Sequence, residues 1–137
     1  MHHRTGALLL LALTLLVPVA ARAADPAAVT ELLGRYQKEG ATAFDAAWAK
    51  DAWTREFKAD DGKMRSCVTC HENDLTRPGR HAKTGKVIDP MARSVNAERY
   101  TDLEKIEKWF KRNCEWAWGR LCTPTEKGSF LRFLKDT

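Results

Sequence analysis

Apolar residues recur at helical spacing in four separate stretches of the chain. Val29, Leu32, Leu33 and Tyr36 share one face, at the three- and four-residue intervals of an amphipathic helix. Asp25-Pro26 in front of them reads as an N-cap followed by proline at the first helical position, and Gly40 as the stop. A second stretch runs from an Asp45 cap to about Phe57, with Phe44, Trp48 and Trp53 as its bulky positions. Thr101-Asp102-Leu103-Glu104 has the form of a capping box. It opens a third helix whose stripe is Leu103, Ile106, Phe110 and then Asn113 or Cys114. Thr123-Pro124-Thr125-Glu126 is a second box, opening a C-terminal helix that carries Phe130, Leu131, Phe133 and Leu134. No stretch alternates polar and apolar residues with a period of two, so the pattern predicts an all-α domain.

The pattern fails between residues 58 and 100. Turn formers dominate there: Asp60-Asp61-Gly62, Asn73-Asp74, Pro78-Gly79, Gly85 and Pro90. So long an irregular segment is unusual inside a small domain. It must wrap something that supplies the apolar core it lacks.

The N-terminus has a different character. A polar start (His2, His3, Arg4) precedes the apolar run Ala7 to Val17, and Ala21-Arg22-Ala23 follows with small residues flanking one position. This is the layout of a secretory signal peptide, residues 1–23, cleaved after Ala23. A membrane anchor is the competing reading, but Thr5 to Ala21 contains Pro18 and is short for a span. The expected mature domain is 24–137, exported to the periplasm, with no stable membrane insertion after cleavage. Its cysteines meet an oxidising compartment.

Composition sharpens this. The chain has 137 residues, 44% of them hydrophobic and 30% charged, which suits one globular domain. The formal charge is +5. Loss of Arg4 and Arg22 with the leader lowers it by two, to +3. That mild basicity does not point to nucleic acid. Lys105, Lys108, Lys111 and Arg112 gather on the polar side of the third helix. They read first as a solvated face and second as a docking surface for an acidic redox partner.

Four cysteines are the most specific feature. Cys67-Val68-Thr69-Cys70-His71 is C-x-x-C-H, the spacing at which two thiols reach the two vinyl groups of one haem c and the next histidine comes under the iron. A structural zinc site is a rival, with Cys114 and Cys122 as the extra ligands. A redox dithiol is another, though no strand pattern precedes Cys67. Haem also answers the loop problem, because a buried porphyrin supplies apolar surface worth about 25 cal/mol per Å². With two thiols bound to haem, Cys114 and Cys122 are free to pair with each other or to remain two separate thiols.

The ligand opposite His71 decides the function. Met64 is tethered too closely to Cys67 to cross readily to the other face. Met91 follows His71 by 20 residues, and His81 sits in the basic turn Arg80-His81-Ala82-Lys83. No methionine follows residue 91, whereas an ordinary small cytochrome c places its methionine ligand after the third helix.

Here the chain resembles the sphaeroides haem protein (SHP) family, oxygen-binding variants of class I cytochrome c. The resemblance is carried by CVTCHENDLTRPG, KTGKVIDPMARSV, RYTDLEKIEKWFKRNCEWAWGRLCTPTEKG and the final FLRFL. The N-terminal third matches only in its helical pattern. The resemblance implies an all-α class I cytochrome c fold around one covalent haem. It also implies that the asparagine before the first cysteine of a distal disulfide is an iron ligand. The matching residues here are Asn113, Cys114 and Cys122. Asn113 continues the apolar stripe of the third helix, which agrees with a position on its buried face. The resemblance further implies weak amide ligation of ferric iron by Asn113, release on reduction, binding of O2, NO or CO, and electron supply by a dihaem cytochrome c. The chain departs from the family at Met91 and in the bulky Trp116 and Trp118 between the two distal cysteines. A plain electron carrier with Met91 as fixed ligand remains the rival reading, followed by a small haem reductase or oxygenase. Sequence places no acid–base residue that would favour catalysis.

Overall fold

The computed structural model describes residues 24–137. The expected signal peptide, residues 1–23, lies outside the described residues. Four helices carry the architecture: α1 (Ala27–Lys38), α2 (Ala46–Thr54), α3 (Leu103–Trp118) and α4 (Pro124–Lys135). Between α2 and α3 the chain is mostly irregular, as its turn formers dictate. It is interrupted by two antiparallel pairs of two-residue strands, β1 (Phe57–Lys58) with β2 (Met64–Arg65), and β3 (Gly79–Arg80) with β4 (Val87–Ile88). Strands this short leave no alternation for the sequence pattern to reveal.

The helix boundaries follow local chemistry, with three corrections. The N-cap of α1 is Pro26, with no side-chain cap. Asp25 instead reaches the buried Lys135 at 2.9 Å, where an ion pair outweighs capping. α2 opens as expected, with the Asp45 carboxylate accepting from the Trp48 N–H, but it ends at Thr54 when Arg55 turns extended. α3 is capped by Asp102, which accepts from the Lys105 N–H, and not by Thr101, whose hydroxyl is spent on the Glu98 carbonyl. α4 has the full box: Thr123 and Glu126 satisfy each other's backbone N–H groups, with Pro124 at the first position.

α4 packs against both α1 and α2. One core joins α1, α3 and α4 through Val29, Leu32, Leu33, Tyr36, Ile106 and Leu131. Tyr36 is fully buried and donates its hydroxyl to Glu107 at 2.6 Å; Lys127 pairs with the same carboxylate at 2.9 Å. A second core gathers Ala49, Trp53, Leu75, Ala92, Trp118, Phe130 and Leu134. Cys67, Val68 and Met91 border it, and it is this second core that faces the cysteine motif.

Candidate functional site

The C-x-x-C-H segment is built as a tight turn. Ser66, buried, caps a one-turn 3-10 helix, Cys67–Thr69, and Thr69 returns the bond to the Ser66 N–H at 3.0 Å. The N–H groups of Cys70 and His71 both donate to the Cys67 carbonyl, at 3.2 and 3.0 Å. Both thiols are half-buried and unbonded to any other sulfur. The strand β3 seals the far side: Arg80 N–H donates to the Cys70 carbonyl at 2.7 Å. A Cβ on Gly79 would overlap that carbonyl oxygen and lie 3.0 Å from the His71 Cα. Ala82 N–H points at the Cys70 Sγ at 3.4 Å.

The His71 ring lies 5.5 Å from the Trp53 ring, tilted by 39°. Burial, assisted by the positive charge of Arg99, pulls its pKa down to about 4, so the imidazole is neutral at neutral pH. Its Nδ1 is buried and makes no hydrogen bond. Burial likewise pushes the Cys67 thiol up to about 12. These observations separate the rival chemistries. A redox dithiol needs a depressed thiol pKa, and Cys67 has the opposite. A zinc site needs further ligands, yet Cys114 and Cys122 are joined in a disulfide with Cα atoms 5.6 Å apart. Among the described residues no group of three His, Cys, Asp or Glu side chains is placed to hold a metal. Two unpaired thiols on a tight turn, followed directly by a neutral imidazole, fit covalent haem c.

The other candidates are distributed as follows. The disulfide ties the last turns of α3 to the segment before α4, and both its cysteines belong to the core that Cys67 and Met91 border. Asn113 is exposed. The sequence pattern continued the apolar stripe of α3 with Asn113 or Cys114; Cys114 takes the buried position of that turn, and α3 runs on to Trp118. Trp116 and Trp118 are therefore helical. Trp116 lies under the Arg65 guanidinium at 4.6 Å, and Trp118 packs on Phe57 and Phe130 at 4.5 and 5.7 Å. Met91 is half-buried against the core, and its carbonyl accepts from the Tyr100 hydroxyl at 2.9 Å. His81 is exposed, its Nδ1 accepting from Thr84 N–H at 3.2 Å within its own turn. Met64 is 53% exposed in β2. Sequence reasoning missed Trp53 as the neighbour of His71 and Gly79 as the seal of the turn. Pro78-Gly79 gave only a turn signal.

Residues 39–134 match the family described as "Domain of unknown function (DUF1924)". The chain belongs to the DUF1924 family. Cytochrome c-type protein SHP of Cereibacter sphaeroides is 36% identical to this DUF1924 chain over 126 residues, covering 92% of it and 95% of the relative. Cytochrome c'' of Methylophilus methylotrophus is 39% identical over 82 residues, 60% of this chain. The match spans 57% of that relative's length. Among solved structures, oxidized SHP, described as an oxygen binding cytochrome c, superposes with a TM-score of 0.71 at 34% identity, covering 82% of this chain and 98% of that one. Oxidized cytochrome c'' follows at 0.67 and 32%, with coverages of 78% and 92%. The DUF1924 chain thus has a mostly helical cytochrome c-type fold and is a monohaem c-type cytochrome of the SHP-like family with covalently attached haem c. The likeness to SHP extends beyond Cys67 to Leu134 into the N-terminal third, where sequence reading found only a helical pattern.

Proposed function

We propose that this chain is a periplasmic cytochrome that accepts an electron and then binds a diatomic gas (O2, NO or CO). Cys67 and Cys70 carry the thioether links, His71 is the proximal ligand and Asn113 the weak distal ligand. Haem c, held by Cys67, Cys70 and His71, would supply a redox-active iron. Burial keeps the His71 imidazole neutral, the form that donates a lone pair to a metal. A neutral amide is a poor partner for the softer ferrous ion, so Asn113 would hold ferric iron better than ferrous. The observation that carries the reading is the Cys114–Cys122 bridge directly after Asn113. It pins the backbone of α3 at the residue that must present its amide. The electron comes from a redox partner protein, for which a dihaem cytochrome c is the candidate. Cys114–Cys122 pairing also suits an exported protein. Among the described residues, no helix is long and apolar enough to cross a membrane.

The test is the spectrum of the purified holoprotein. The expected ferrous form is five-coordinate and high-spin, and takes up CO. Asn113→Ala is expected to stay folded, to change the ferric coordination and to bind CO at least as fast as the parent. Met91→Leu conserves volume, so it costs less than about 1.5 kcal/mol and leaves the ferric spectrum as it was. A low-spin ferrous form indifferent to CO, with a methionine–iron band lost in Met91→Leu, identifies the plain carrier instead.

A further inference from the structure

Residues 89–100 form a loop pinned by hydrogen bonds. Ala92 is fully buried, its N–H bound to the Leu75 carbonyl at 2.9 Å. Arg99 spends its Nε–H on the Pro90 carbonyl at 2.8 Å and its Nη2 on the Asp89 carbonyl. Tyr100 holds the Met91 carbonyl, and Ser94 N–H reaches the C-terminal Thr137 carbonyl at 3.4 Å. The loop stands close to the haem-attachment turn: Met91 packs on the core that Cys67 and Val68 border.

Within this pinned loop one donor is left over. The Nε of Arg93 is buried and has no hydrogen-bond partner. The side chain as a whole is half-buried. A guanidinium does not neutralise itself by losing a proton, and a buried unpaired cationic donor is costly. Residue 92 and the backbone around it are fixed by the bonds above, so the Arg93 side chain leaves from a held point of the loop. The position calls for an anion brought by something other than the protein. Haem c brings two carboxylates, its propionates, into a site whose neighbouring arginine, Arg99, is already committed to backbone carbonyls.

We propose that Arg93 anchors haem c by donating its buried Nε–H to a propionate carboxylate. The inference rests on haem attachment, a property of the SHP-like family, and is independent of what occupies the distal position. Arginine suits the role because its planar fork matches a carboxylate.

Resonance Raman spectra and reduction potentials of the ferric holoprotein test it, at fixed pH and ionic strength. In Arg93→Gln the propionate-bending band is expected to shift and the potential to fall, because an uncompensated propionate favours the ferric state. Arg93→Lys keeps the charge but not the fork. Its band is expected to shift while its potential stays close to the parent value, and it keeps the test alive where Arg93→Gln fails to fold. Arg35→Gln, which removes the same charge from the exposed face of α1, is expected to change neither. An unmoved propionate band in the Arg93 variants overturns the assignment, as does a fall in potential equal to that of Arg35→Gln.

Discussion

Gly79→Ala is the sharpest mechanical test of how the attachment turn is held. A methyl at this position meets three backbone atoms: the Cys70 carbonyl oxygen, which it overlaps, the His71 Cα at 3.0 Å and the Cys70 carbonyl carbon at 3.1 Å. None of them belongs to a side chain that can swing aside. Gly79 is not among the glycines with positive φ, so alanine can adopt its backbone conformation and the substitution tests space alone. Relief requires β3 to separate from the attachment turn, which breaks the 2.7 Å bond from Arg80 N–H to the Cys70 carbonyl. Overpacking of this kind costs about 1–3 kcal/mol, and the lost hydrogen bond adds about 1 kcal/mol. The expected loss is therefore about 2–4 kcal/mol, read from guanidinium unfolding of the ferric holoprotein followed by far-ultraviolet circular dichroism and by the haem band. Gly34→Ala is the matched control. Gly34 lies inside α1 with nothing within 4 Å of the added Cβ, so it is expected to gain about 0.5–1 kcal/mol. If Gly79→Ala unfolds within about 0.5 kcal/mol of the parent, the packing of β3 on the attachment turn is refuted.

Two further outcomes follow from the same geometry. Cys114→Ser with Cys122→Ser opens a ring whose cysteines are 8 residues apart. It is expected to cost about 2.5 kcal/mol on the loop-entropy model, and, on the proposed ligation by Asn113, electron paramagnetic resonance should show the ferric iron moving partly toward high spin. Acid unfolding of Glu126→Gln tests the box at the start of α4. Burial alone would raise the Glu126 pKa, but the Arg120 guanidinium and the Thr123 N–H outweigh it and hold the carboxyl below its ordinary value. A depressed carboxyl pKa gives stability that is present above the unfolded value of about 4.5 and is lost as pH falls through the folded one. The variant should therefore unfold less steeply with acid below that value, while being less stable than the parent at pH 7.

The sequence was most readable where a residue's local chemistry decides its role. The Thr123-Pro124-Thr125-Glu126 box survives intact because all its partners lie within one turn. Asp45 caps α2 for the same reason. The misreadings arise where a distant partner competes. Asp25 gives up capping for Lys135, which is far along the chain. Thr101 loses the cap of α3 to its neighbour Asp102, two residues that a capping pattern hardly distinguishes. The cysteine motif was legible because its spacing is itself the chemistry. Gly79 and Trp53 were not, since their meaning lies in what the folded chain brings against them. At the end of its stripe α3 left Asn113 and Cys114 as alternatives, and periodicity alone could not choose; packing gives the buried place to Cys114.

The division of the interior into two cores bears on how the molecule is assembled. From the segment 58–100 the core of α1, α3 and α4 takes only the half-buried Tyr100 at its border, and its polar clasp joins Tyr36, Glu107 and Lys127. Opening free energies in a protein differ between such units. The frame can hold its shape while the attachment segment still breathes, which keeps the Cys67 and Cys70 sulfurs within reach of the chemistry that joins them to the porphyrin. Covalent attachment at Cys67 and Cys70 would then tie that segment to the second core through the porphyrin.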